Sequence, residues 1–119
     1  MIEKRKSILA AVKRKHSGNG QQDAAFEVLD GDRSRVSGSL HFTTVSSLLS
    51  AGVDAIDGGR AAVIDLGSVA SSDSSGLALL IEWLSVAKAA GRPLRYENIP
   101  TQLQQLARLS EVEGLLVPG

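Results

Sequence analysis

At 119 residues the chain is long enough for one ordinary domain and too short for two. Its side chains are 43% apolar but only 3% aromatic, so a core must be built from Leu, Val, Ile and Ala, and the absence of cysteine excludes disulfides and thiolate metal sites. The net charge of zero hides an asymmetry: residues 1–22 carry six basic residues against Glu3, and residues 23–119 carry seven basic against twelve acidic.

Residues 1–22 therefore read as a basic flexible leader, and residues 23–119 as an acidic folded domain. The leader is not a secretion signal. Its apolar stretch Ile8–Val12 is shorter than a signal core, and Lys13-Arg14-Lys15 follows at once. Ile2–Lys15 fits either a short basic helix or a frayed tail, and Ser17–Gln22 has the composition of a linker. No stretch approaches the roughly 20 apolar residues that span a bilayer. With no cysteine either, the expected location is the cytoplasm. If the leader touches anything, anionic lipid is the candidate, as a weak surface contact.

Folded structure is expected from near Ala25. Phe26–Leu29 reads as a strand, Asp30–Asp32 as a turn, and Arg35–Phe42 as a half-buried strand of period two. Thr43 or Thr44 is placed to cap a helix whose apolar face is Val45, Leu48, Leu49, Gly52, Val53 and Ile56, with Gly58-Gly59 ending it. Ala62–Leu66 is a short apolar run, expected of a strand covered on both sides. Gly67–Asp73 reads as a loop of small residues. Ser75–Ala90 is helical, stopped by Gly91 and Pro93, and Leu94–Glu97 is a strand. Thr101–Gln104 has the spacing of a capping box, and Leu115–Val117 reads as a last short strand or a docked tail. The order β-β-α-β-α-β-α implies an α/β fold: a mixed sheet of four to five strands, with an antiparallel N-terminal hairpin and parallel β-α-β units.

Chemistry is concentrated at residues 65–76. The loop after Leu66 lies at the carboxyl end of a parallel strand, where ligands and partners of α/β sheets are usually met. Asp73, Ser74 and Ser75 fall at the start of the next helix, whose free amides and dipole favour negative charge. A hydroxyl there is suited to carry a phosphate; equally, Asp and Ser are ordinary capping residues. Gly76, unfavourable in a first helical turn, hints at close approach of another surface. The apolar residues of Ser75–Ala90 cover far more of the helix circumference than the roughly 100° stripe of a surface helix. Either the helix is wedged between sheet and neighbouring helix, or Leu79, Trp83 and Val86 form a protein-binding face anchored by Trp83.

The remaining function classes lack their patterns. His16 and His41 belong to no metal-ligand set, and no P-loop or dinucleotide fingerprint is present, so neither metal nor cofactor is expected. A His41–Ser74–Asp triad has no nucleophile-elbow pattern behind it, and no enzyme is expected. Arg33, Arg35, Arg92 and Arg95 read as solvated charges without interleaved aromatics, which speaks against nucleic acid.

Val63-Ile64-Asp65-Leu66, a short loop and Asp73-Ser74-Ser75-Gly76-Leu77-Ala78-Leu79-Leu80 resemble the signature of STAS domains, the family of anti-sigma factor antagonists. The resemblance covers about residues 25–117. It implies the STAS fold and a phosphorylatable hydroxyl at Ser74; the loop and helix readings above put the candidate partner surface at Asp73, Ser75 and Gly76 with Leu79 and Trp83. Gly38–Val45, Gly76–Leu84, Ala87–Leu94 and Leu103–Leu109 are further similar to the STAS subunit of the Mla phospholipid transporter. That likeness implies a non-catalytic protein, peripheral to the inner membrane, which binds the ABC transporter ATPase subunit and through it the permease. The alternative it leaves is an anti-sigma factor antagonist regulated by phosphorylation at Ser74. The basic leader has no counterpart in the subgroup.

Overall fold

The computed structural model describes residues 24–116. The leader, the boundary expected at residue 22 and the end of the chain from Val117 lie outside them. Four strands, β1 (Ala24–Val28), β2 (Arg33–Leu40), β3 (Val63–Ser72) and β4 (Arg95–Glu97), form one sheet in that order. β1 and β2 are the expected antiparallel hairpin, and β2–β3 and β3–β4 pair in parallel. The helices are α1 (Val45–Asp57), α2 (Ser74–Ala90), α3 (Thr101–Leu109) and α4 (Glu113–Leu116).

One face of the sheet carries Phe26, Ser34, Val36, Ile64, Leu66 and Tyr96, and all but the half-buried Phe26 are buried beneath the helices. Ser34 has its hydroxyl satisfied by the Arg60 carbonyl at 2.9 Å. The opposite face is charged. Glu27, Arg35, Asp65 and Glu97 lie in one row across all four strands. Arg35 pairs with Glu27 at 2.8 Å, and Arg33 with Glu97 at 2.7 Å. In the Ala62–Leu66 run Ile64 and Leu66 face the helices, while Asp65 is half-buried on the charged face, where Val63, paired with Arg33 and Arg95, is nonetheless buried at 7%. Arg33 and Arg35 are paired rather than merely solvated.

α1 and α2 pack against each other through Gly52 and Trp83. A Cβ at Gly52 would fall inside van der Waals contact of the indole, so only glycine lets the two helices approach this closely. The Trp83 ring is fully buried, donates from Nε1 to the Leu49 carbonyl at 3.2 Å, and meets Phe26 edge-on at 5.5 Å. This corrects the partner anchor expected at Trp83 and Leu79. Both are core residues, at 0% and 4% exposure, because the wide apolar arc of α2 is shared between sheet and α1.

Three further expectations change. The loop expected at Gly67–Asp73 is strand as far as Ser72. β3 follows β2 through two irregularities, with Arg35–Leu40 opposing the longer Asp65–Ser72, so no period-two signal survives in its small residues. The capping box at Thr101 does not form: Pro100 occupies the cap position, and the Gln104 side chain donates to the Ile99 carbonyl at 2.8 Å. The chain's last described element is a helical turn, α4, with Leu116 docked in the core. No helix among the described residues is long and apolar enough to cross a membrane.

Candidate functional site

β2 and β3 end side by side, with Leu40 paired to Ser72. The chain leaves β2 through a tight turn at His41–Thr44 and leaves β3 directly into α2, so the two segments share one end of the sheet.

Thr44 holds the first segment. Its hydroxyl accepts from the His41 amide at 2.9 Å and donates to the Ser39 carbonyl at 2.9 Å. It therefore staples the turn instead of capping α1, to which it gives no side-chain bond. His41 lies in this turn and not on a strand as expected. Phe42, at the turn's outer edge, is 80% exposed.

Asp73 organises the second segment. Its amide donates to the Leu40 carbonyl at 3.0 Å, and its Oδ1 accepts from the Ser75 amide at 2.7 Å, an N-cap in the expected manner. Partial burial works against its ionisation. Hydrogen bonds from Ser75, the charge of nearby His41 and the Gly76 amide outweigh that, holding the carboxyl below its usual range. His41 Nδ1 stands 3.7 Å from Asp73 Oδ2.

With Asp73 as cap, the neighbouring hydroxyl is left free. Ser74 is exposed, is the first residue of α2, and its hydroxyl takes part in no hydrogen bond among the described residues. Ser75 is half-buried beside it. Gly76 is buried, and its close neighbour is internal: a Cβ there would collide with the Ser72 hydroxyl and stand 2.9 Å from Leu40 Cβ. Gly76 is thus a packing residue that seats α2 on the strand ends, and not itself a contact surface. Gln102 of α3 accepts from the Ser72 amide at 3.0 Å, tying a second helix to the same strand end.

The free surface at this end therefore includes Phe42, Thr43, Asp73 and Ser74. The sequence reading found the last two and missed Phe42. Its signal was available: an aromatic residue between two polar ones, just beyond a strand and just before a helix. Of the constellation Asp73-Ser74-Ser75-Gly76-Leu79-Trp83, the fold brings only the first three residues to the surface. Chemically, the arrangement offers an unengaged hydroxyl at the start of a 17-residue helix, one ionised carboxylate and one apolar ring. Among the described residues no His, Asp or Glu cluster is arranged to hold a metal ion.

A family model described as Mlab, STAS domain matches residues 29–118. No curated protein matches the sequence. Among solved structures, the anti-sigma factor antagonist SpoIIAA in its unphosphorylated form is similar with a TM-score of 0.61 and 16% identity, over 81% of this chain and 87% of that one. The Bacillus cell fate determinant SpoIIAA in the phosphorylated form is similar with a TM-score of 0.59 and 18% identity, over 78% and 86%. At these identities the two structures establish the shared fold.

Proposed function

This chain belongs to the STAS domain family, and we propose on that footing that it is a non-catalytic interaction subunit of a phospholipid-transporting ABC complex. Its Ser74 surface is the one that binds the complex's ATPase subunit, and through it the permease. The observation that carries this reading is the free, exposed Ser74 hydroxyl on a helix already capped by Asp73, with the exposed Phe42 at the same end of the sheet. A hydroxyl needed for capping would have a structural reason to be there; this one has none. An apolar ring at 80% exposure costs nothing to the fold and offers buried area to a partner. The match to the Mlab description favours the transporter over other STAS settings. The domain works at the inner face of the inner membrane, held there by the complex.

The second reading is an anti-sigma factor antagonist switched by phosphorylation of Ser74. The same free hydroxyl favours it. A phosphate there would add about −1.5 to −2 charge beside helix amides that tolerate it.

The experiment is affinity measurement against the co-purifying partner, for wild type and Ser74→Glu. The ATPase is expected to bind wild type and to lose affinity by tenfold or more for Ser74→Glu, because a packed interface would not accept the added volume and desolvated charge. Capture of a sigma-factor regulator in place of the ATPase would transfer the assignment to the second reading. Equal binding of both variants would remove Ser74 from the interface.

A further inference from the structure

β1 is an edge of the sheet: among the described residues it pairs with β2 alone. Which of its backbone groups are free follows from the hairpin. The Leu29 amide donates to the Arg33 carbonyl at 2.8 Å, one step beyond Val28 and Ser34 in the same register. Antiparallel ladders alternate bonded and unbonded pairs, so Leu29, Glu27 and Ala25 turn their backbone groups to β2. Ala24, Phe26 and Val28 turn theirs outward. The usual defences of an edge are missing here. β1 has no proline, no lysine and no bulge, and its one charge, Glu27, stands on the open face, held by Arg35 at 2.8 Å. Val28 is 43% exposed. The opposite edge is blunted: β4 is only Arg95–Glu97, charged at both ends and set between Pro93 and Pro100.

A second copy of β1 fits this edge in one register. Two identical edges meet antiparallel about a two-fold axis through one residue of each strand. Centred on Glu27, the axis sets two carboxylates directly opposite each other, which is destabilising. Centred on Val28, it opposes Phe26 to Asp30, already in the turn. Centred on Ala24 or Ala25, it leaves Val28 beyond the start of the other strand. Centred on Phe26, it pairs all five residues: Phe26 with Phe26, Ala24 with Val28, and Ala25 with Glu27. The outward groups of Ala24, Phe26 and Val28 then meet one another, two hydrogen bonds to each facing pair and about six in all. Apolar side chains oppose each other on one face. On the other, each glutamate faces an alanine, and no charge opposes its like.

We propose that two copies of this chain associate edge to edge through β1, antiparallel about Phe26, and join their sheets into one. The axis stands perpendicular to the sheet, so the two Ser74 ends point in opposite directions and neither is covered. The contact therefore does not depend on what binds Ser74. The chain has no cysteine, so introduced cysteines report a single contact. Ala25→Cys and Glu27→Cys both replace exposed residues. In this register position 25 of one copy faces position 27 of the other at about 4.5 Å between Cα atoms, within disulfide reach. Equal positions stand diagonally at about 7–8 Å, beyond it. The two full-length variants, mixed and mildly oxidised, should form the mixed disulfide, with little product from either alone. Sedimentation velocity should show the wild type passing to a dimer as concentration rises. Val28→Pro removes an outward amide from each copy and none that serves β2, so it should weaken the dimer by about tenfold or more. The cysteine mixture decides even where Val28→Pro does not fold. Equal cross-linking by one variant alone, or an undiminished dimer in folded Val28→Pro, would overturn the proposal. So would a wild type that stays monomeric to its solubility limit, which would leave this edge to a strand of another protein. Ser74→Glu should dimerise as wild type does; loss of the dimer there would move the contact to the Ser74 end and overturn the proposal too.

Discussion

The Trp83 indole lies directly over Gly52, with its Nε1 bonded to the Leu49 carbonyl one helical turn away. This pair sets the distance between α1 and α2, and with it the position of the helix that carries Ser74. Gly52→Ala should destabilise the domain despite alanine's better helix propensity, worth up to ~1 kcal/mol. The added methyl must displace a fully buried ring, and overpacking of this kind typically costs about 1–3 kcal/mol. Urea unfolding followed by Trp83 fluorescence gives the sign. A variant as stable as wild type would mean that the helices separate freely and that the close contact is not needed.

Asp73 and Ser74 are adjacent and should behave oppositely. Asp73→Ala removes the cap of α2 and should cost roughly 1 kcal/mol of stability. Ser74→Ala removes a hydroxyl with no bond and should change stability by less than about 0.5 kcal/mol, as surface substitutions do. Thermal melts of the two variants decide. If Ser74→Ala is the more damaging, Ser74 is structural.

Acid should weaken the fold in part through Asp65 and Asp73. The Asp65 carboxyl lies below its ordinary range because Asn98 donates to it at 3.0 Å and the Gly67 amide at 2.8 Å. Asp73 is lowered too, the bonds at the α2 start overcoming its desolvation. A depressed folded-state value means that the unfolded chain takes up the proton first. The stabilisation is therefore complete above about pH 4, the ordinary carboxylate value, and is lost as pH falls through the lower folded values. Both groups are largely solvated, so the effect is modest. Denaturation midpoints from neutral pH downwards should fall less steeply for Asp65→Asn with Asp73→Asn than for wild type. Parallel curves would assign the acid sensitivity to other carboxylates.

Phe42→Ala should separate binding from folding. At 80% exposure the ring contributes little to the core, so the melting temperature should barely move. If Phe42 is buried by the partner beside Ser74, affinity should fall by about tenfold or more, the loss of a contact worth over ~1.4 kcal/mol. Titration calorimetry with the co-purified ATPase reads this directly. An unchanged affinity would restrict the interface to the Ser74 side.

Much of this architecture was legible in the residues alone. Val45 to Ile56 announced α1 by its periodicity, Gly91 stopped α2, and the Asp73-Ser74-Ser75-Gly76 segment announced both the family likeness and a helix start at a strand edge. These are local signals, set by side-chain period, dihedral preference and capping. Tertiary structure alone decided which neighbours those residues meet. The wide apolar arc of α2 could have been a binding face or a buried wedge, and only the approach of Gly52 put Trp83 inside. The Ser-rich end of β3 became a strand because β2 lay beside it to complete the hydrogen bonds, which no property of Gly67–Ser72 dictates. Ser74 was left free because Asp73 took the cap, and Phe42 was left exposed because the Thr44 staple turned it outward. Pattern within a segment reports what each side chain prefers; whether it finds water, a partner or the core depends on residues distant in sequence.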